Sequence, residues 1–209
     1  MLALFLLLAL SSQPLSVSSK ASLSQVLDVL GKKLRTDSDY YIIPANGGDI
    51  SLESSIGEPC PLHVVVVKHR QGLGFPLRLA PVKGDIRVST DLNIMLGNGD
   101  DRCPNYSVAW KIDPYSKEAT FLTSNGSNSI DSWFKIEKYD DAYKLVYCPN
   151  VCPSCKHVCK DIGVYKYKNR EMRLALTNAP LKIKFQMAWL MATTYKFIRI
   201  IEFDFPCGE

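Results

Sequence analysis

From Val26 onward, apolar and polar residues alternate with period two along most of the chain, and helical spacing is hard to find. The apolar runs are short: Tyr40-Tyr41-Ile42-Ile43, Leu62 to Val67, Leu77 and Leu79, Ile86 and Val88, Val108 and Trp110. Later come Trp133, Phe134 and Ile136, then Tyr143 to Tyr147, Val164 to Tyr167, Met172 to Leu176, and Leu181 to Phe185. Turn residues bound them, as in Asn46-Gly47-Gly48-Asp49, Gly97-Asn98-Gly99-Asp100 and Asn125-Gly126. About a dozen short strands at regular spacing predict an all-β domain, either a sandwich or a closed barrel. Strand pairs recur at intervals of roughly fifty residues, a faint internal repeat.

Composition narrows this picture without changing it. The 209 residues, 46% hydrophobic and 22% charged, suit one globular domain with its own core. The net charge of +4 is scattered, so no nucleic-acid partner is expected. The local cluster Lys166, Lys168, Arg170 and Arg173 reads as a solvated face.

The two ends differ from the middle. Leu2 to Leu10 is apolar and is followed by small, polar residues through Ala21, the layout of a secretory signal peptide over residues 1–21. That run is far short of the roughly 20 residues a membrane span requires, so no span is expected. Residues 22–187 then form the folded domain. The tail 188–209 is strongly apolar at Ala188-Trp189-Leu190-Met191 and Phe197 to Ile201, but Lys196, Arg199, Glu202 and Asp204 interrupt it.

The expected secretion changes how the seven cysteines read. Cys148, Cys152, Cys155 and Cys159 lie so close together that they could hold zinc as four thiolates, whereas an oxidising compartment favours disulfides. Six cysteines pair in about fifteen ways. Cys207 is the odd one out, available for a bridge between two chains. Asn105-Tyr106-Ser107 and Asn125-Gly126-Ser127 fit the N-glycosylation pattern. Enzymatic machinery is scarce. His63, His69 and His157 sit in no zinc-protease pattern and read as ordinary surface or edge-strand residues, and no Gly-x-Ser-x-Gly elbow is present. Neither an enzyme nor a cofactor or metal is expected.

Several motifs together carry a family resemblance. They are Val26-Leu27-Asp28-Val29-Leu30-Gly31-Lys32-Lys33-Leu34, Tyr40-Tyr41-Ile42, Cys60-Pro61-Leu62, Arg87-Val88-Ser89-Thr90-Asp91-Leu92-Asn93-Ile94, Ser132 to Glu137, Tyr143 to Pro149, Asp161-Ile162-Gly163 and Arg173 to Leu176. From about Val26 to Met187 the chain resembles the plant Kunitz (soybean-type) trypsin inhibitors, and its four-cysteine cluster is similar to that of the miraculin-like subgroup.

The resemblance implies a β-trefoil of twelve strands with three-fold pseudosymmetry, and bridges Cys60 to Cys103, Cys148 to Cys159 and Cys152 to Cys155. It implies a protease-binding loop at Pro81, Val82, Lys83, Gly84 and Asp85, inside the sequence that the Cys60–Cys103 bridge closes. Lys83 would precede the scissile bond and Gly84 follow it, so the partner would be a trypsin-like serine endopeptidase whose acidic pocket takes the lysine. Pro81 and the enclosing bridge would hold the loop in its bound shape and lower the entropy lost on binding. The chain departs from the family pattern at Leu30, where a polar or acidic residue is usual, at Lys32, where an asparagine commonly braces the loop, and in a loop about one residue shorter than in miraculin-like relatives, in which Gly84 adds freedom. The alternative on the same scaffold is a non-inhibitory defence, storage or ligand-binding protein.

Overall fold

The alternation in sequence becomes alternation in burial. In a computed structural model, residues 23–188 are described apart from 56, 69–73 and 98–101. The segment 1–21, His69 and the tail from 189 with Cys207 therefore lie outside the described residues. Along β1 (Asp39–Pro44), Tyr40, Ile42 and Pro44 are buried while their neighbours are half-buried. β5 (Leu92–Leu96) repeats this with Leu92, Ile94 and Leu96. Such side chains, one in two, face a common interior.

The other strands among the described residues are β2 (Asp49–Ser55), β3 (Glu58–Val67), β4 (Leu77–Pro81), β6 (Lys111–Asp113), β7 (Phe121–Thr123), β8 (Lys135–Tyr139), β9 (Ala142–Tyr147), β10 (Lys160–Lys166), β11 (Met172–Thr177) and β12 (Ile183–Met187). Three antiparallel ladders, β12 with β1, β4 with β5, and β8 with β9, form the wall of a barrel. Short seams join them at Tyr40↔Leu77, Leu92↔Phe134 and Ile183↔Tyr143, and the wall closes on itself.

Three hairpins, β2–β3, β6–β7 and β10–β11, cap one end. Their second strands pair with one another through His63↔Thr123, Ala175↔Phe121 and Arg173↔Val65. The unit of barrel strand, hairpin and barrel strand thus occurs three times, beginning at Asp39, Leu92 and Ala142. This is a β-trefoil, and it settles the choice between sandwich and barrel that period-two alternation leaves open. The interior is filled by aromatic and aliphatic side chains, with Trp110, Tyr40, Phe134 and Phe185 fully buried.

Two expected strand segments differ. Ile86 and Val88 are buried, yet their residues form only an isolated bridge, Gln25↔Arg87, beside the N-terminal segment. Val108 and Trp110 flank the bridge Met95↔Ala109, and β6 begins one residue later. The basic cluster is also only partly a solvated face. Lys166, Lys168 and Arg170 are exposed, but Arg173 is 4% exposed and takes part in a half-buried polar cluster with His63. His63 is correspondingly not an edge-strand residue, because β3 is paired on both sides.

Cys60–Cys103, Cys148–Cys159 and Cys152–Cys155 are joined, with Cα–Cα distances of 5.9, 4.3 and 5.3 Å. Donor atoms of Cys148, His157 and Cys159 lie within 4.8 Å of one another, but both sulfurs belong to a disulfide rather than being free thiolates. The bridges span 43, 11 and 3 positions, so the chain-entropy model ranks their contributions in that order. Removing Cys152–Cys155 by paired serine substitution is expected to cost only about 1.5 kcal/mol, and removing Cys60–Cys103 the most of the three, as read by denaturant unfolding. No helix among the described residues is long and apolar enough to cross a membrane.

Candidate functional site: the loop between β4 and β5

The β4–β5 ladder ends at Pro81↔Leu92, at the opposite end of the barrel from the hairpin cap. One further bond, from Val82 N–H to the Asp91 carbonyl at 2.9 Å, carries the pairing into the loop. Beyond it Val82, Lys83, Gly84 and Asp85 are all exposed, Val82 by 55%. The chain reverses at Gly84, whose φ of +65° lies in the left-handed region. A Cβ built there meets nothing within 4 Å, so a side chain at this position would be opposed by backbone strain alone, about 1 kcal/mol.

The returning limb is fastened to the N-terminal segment. Val26 N–H donates to the Ile86 carbonyl at 3.3 Å and Val88 N–H to the Ser24 carbonyl at 3.0 Å. The Asp85 carboxylate accepts from Gln25 Nε2 and from Arg87 Nη2, each at 2.9 Å, while Arg87 Nη1 donates to the Leu23 carbonyl at 2.8 Å. Ile86 and Val88 anchor this limb in the core. Lys83 is left on an exposed arc between two fixed strips of backbone.

Asp91 holds the base. Its buried carboxylate accepts the Asn150 N–H at 3.1 and 3.0 Å to its two oxygens and lies 3.9 Å from the buried Lys135 Nζ. Since Asn150 follows Cys148, the four-cysteine segment is tied to the foot of the loop. Next to it, Ser89 has φ +57°, donates its N–H to the Ile136 carbonyl at 2.9 Å and its hydroxyl to Glu137 Oε2 at 2.8 Å.

The five residues expected at the site, Pro81 to Asp85, are thus contiguous on one loop, but their supports differ from those expected. The Cys60–Cys103 bridge encloses the loop in sequence only. Cys60 lies near the start of the strand β3 of the cap, and Cys103 follows the Leu96 end of β5, away from Leu92. It stabilises the scaffold rather than touching the arc. Lys32 lies in a turn closed by Asp28 N–H to the Lys32 carbonyl at 2.8 Å and Lys32 N–H to Asp28 Oδ1 at 2.9 Å. That turn is bound to β12 through Val29 N–H and the Phe185 carbonyl. The side chains that brace the loop are instead Gln25 and Arg87. Asp91 and Arg87 lie within the Arg87-to-Ile94 motif, but nothing in the sequence connects Gln25 with Asp85 sixty positions away. The acceptor-pattern asparagines Asn105 and Asn125 are both exposed.

Comparison with known proteins agrees with this scaffold. The family model for trypsin and protease inhibitors of the Kunitz legume type matches residues 26–187. Kunitz trypsin inhibitor 5 of Arabidopsis thaliana is 34% identical over 90% of this chain and 98% of its own length. Miraculin of Synsepalum dulcificum is 36% identical over 86% of this chain and 90% of its own. Among solved structures, a Kunitz-type cysteine protease inhibitor from potato superposes with a TM-score of 0.68 at 30% identity, covering 80% of this chain and 98% of that one. The chain belongs to the Kunitz legume family of trypsin and protease inhibitors.

Proposed function

We propose that this protein inhibits a trypsin-like serine endopeptidase by offering Lys83-Gly84 as a slow substrate. The observation that carries the reading is an exposed lysine on an arc whose two limbs are both fastened. A lysine side chain complements an acidic specificity pocket as a compact point charge. Fixed limbs reduce the conformational freedom lost on docking, which raises affinity without any new contact. After cleavage the new ends would remain held, one by the β4–β5 ladder and the other by Gln25, Arg87 and the buried Ile86 and Val88, so religation competes with release.

Titrating trypsin with the disulfide-intact mature protein tests this. Stoichiometric loss of activity is expected; full activity at micromolar protein would overturn it. The same assay measures the brace. Gln25→Ala removes one hydrogen bond to an exposed carboxylate, so affinity should fall about fivefold, corresponding to roughly 1 kcal/mol, without change in the melting temperature.

A second reading, a non-inhibitory ligand-binding, storage or defence protein on the same scaffold, is favoured by the glycine at φ +65° directly after Lys83 and by the likeness to miraculin. Under either reading we place the protein in the secretory pathway, secreted or vacuolar, with glycans at Asn105 and Asn125. A mass decrease on glycosidase treatment checks this.

A further inference from the structure

At the barrel's capped end, a cleft of about 660 Å³ opens where the turns of the three hairpins meet. Each pseudo-repeat contributes to its wall: Ser55 from β2, Tyr115 from the β6–β7 connection, Tyr167 and Glu171 from the β10–β11 connection. Its size falls within the roughly 300–1,000 Å³ of small-molecule sites. It lies at the other end of the molecule from Lys83 and does not depend on the inhibitory reading.

The wall contains a buried arginine that secondary structure does not require. Arg173 stacks its guanidinium 3.8 Å from the centre of the Tyr167 ring and 5.3 Å from that of Phe121. Nη2 donates to Ser55 Oγ at 2.7 Å and to Glu171 Oε2 at 2.9 Å, and Nη1 lies 3.3 Å from the His63 ring nitrogens. Arg173 Nε and Glu171 Oε1 are nevertheless buried without a hydrogen-bond partner among the described residues. Both atoms belong to residues that line the cleft. Buried polar atoms left unsatisfied by the fold are uncommon and costly, so this pair calls for a partner from outside the fold, water or a ligand. The Glu171 side chain is 26% exposed, so a turn of its carboxylate brings Oε1 into the cleft.

The chemistry of the wall selects the ligand. Arg173 Nε is itself buried, so the polar groups that meet a ligand are carboxylates: Glu171 Oε1, turned outward, accepts from a hydroxyl group. The carboxylates of Glu53 and Asp113 add acceptors, and Tyr115, 89% exposed, provides a ring face. Three acidic groups, Glu53, Asp113 and Glu171, stand against the cations Lys168 and Arg173 and the His63 ring, which leaves no strong field for either sign of charge. We propose that this cleft binds a neutral polyhydroxylated ring, the sugar unit of a glycan.

Saturation-transfer NMR tests this on the intact protein with methyl glycosides of glucose, galactose, mannose and N-acetylglucosamine. Transfer to the ring hydrogens of at least one sugar is expected, at about millimolar affinity as suits a single small ring. Tyr115→Ala, at an exposed position, and Glu171→Gln should each weaken it about tenfold. Trypsin titration by both variants should be unchanged, so the fate of this site is independent of that of the loop. Absence of transfer from all four sugars at about 10 mM, equal transfer in both variants, or displacement of the sugar by inorganic sulfate, which would make the cleft an anion site, overturns the proposal.

Discussion

Lys83→Ala is expected to weaken inhibition of trypsin by about 10²–10³-fold while leaving the melting temperature unchanged. Truncating one partner of a buried, hydrogen-bonded charge pair at an interface costs roughly 3–4 kcal/mol, much of it because the opposite charge is left desolvated and unpaired. In the free protein, by contrast, Lys83 lies on the exposed arc beyond the Val82 hydrogen bond that ends the β4–β5 pairing, so its removal disturbs no packing. Lys83→Arg should retain most of the affinity, since the charge and reach are kept. A change to alanine that lowered stability and affinity together would indicate that the loop, rather than the lysine, had been damaged.

Phe134→Ala should be the most damaging single truncation near the loop, lowering stability by about 3–5 kcal/mol and the melting temperature by roughly 10 °C or more. Phe134 is fully buried and meets Tyr147 edge to face, with ring centroids 6.3 Å apart. Its backbone forms the seam with Leu92, each N–H donating to the other's carbonyl at 2.9 Å. That seam joins the second and third ladders of the barrel, and Leu92 is the residue after Asp91 at the foot of the loop. Truncation therefore opens a cavity at a closure point, where neighbouring strands are least free to collapse into it. Thermal and urea unfolding measure the loss; Phe134→Leu, which retains most of the volume, should fall well short of it.

These two positions also mark what the sequence made legible. Phe134 and the other core residues follow from period-two alternation, because a strand that covers an interior must bury one side chain in two. Lys83 follows from the family motifs on either side of it, not from any local pattern. Alternation could not choose a barrel over a sandwich, since both bury one face of each strand. The choice depends on seams such as Leu92↔Phe134, which are long-range pairings. The supports of the loop were hidden for the same reason. Gln25 reaches Asp85 from sixty positions away, and Asn150 reaches Asp91 from fifty-nine. Lys32, which stands where the family resemblance puts a bracing asparagine, is engaged through its backbone in a local turn with Asp28. Arg173 looked like one more solvated cation in a basic strand. Its burial became visible only when three hairpins from distant parts of the chain met around it.

The central claim, that a braced loop presents Lys83-Gly84 as a substrate that is cut slowly and rejoined, is tested most directly by locating the bond that trypsin cuts. The disulfide-intact protein is incubated with a catalytic amount of trypsin, then denatured in acid, reduced and analysed by mass spectrometry over time. The account predicts one early cleavage, after Lys83, giving on reduction two fragments whose masses sum to that of the reduced intact chain plus one water, and reaching a plateau at which intact protein persists. Progressive digestion at many lysines and arginines, or a chain that stays uncut at Lys83 while trypsin retains full activity, would contradict it.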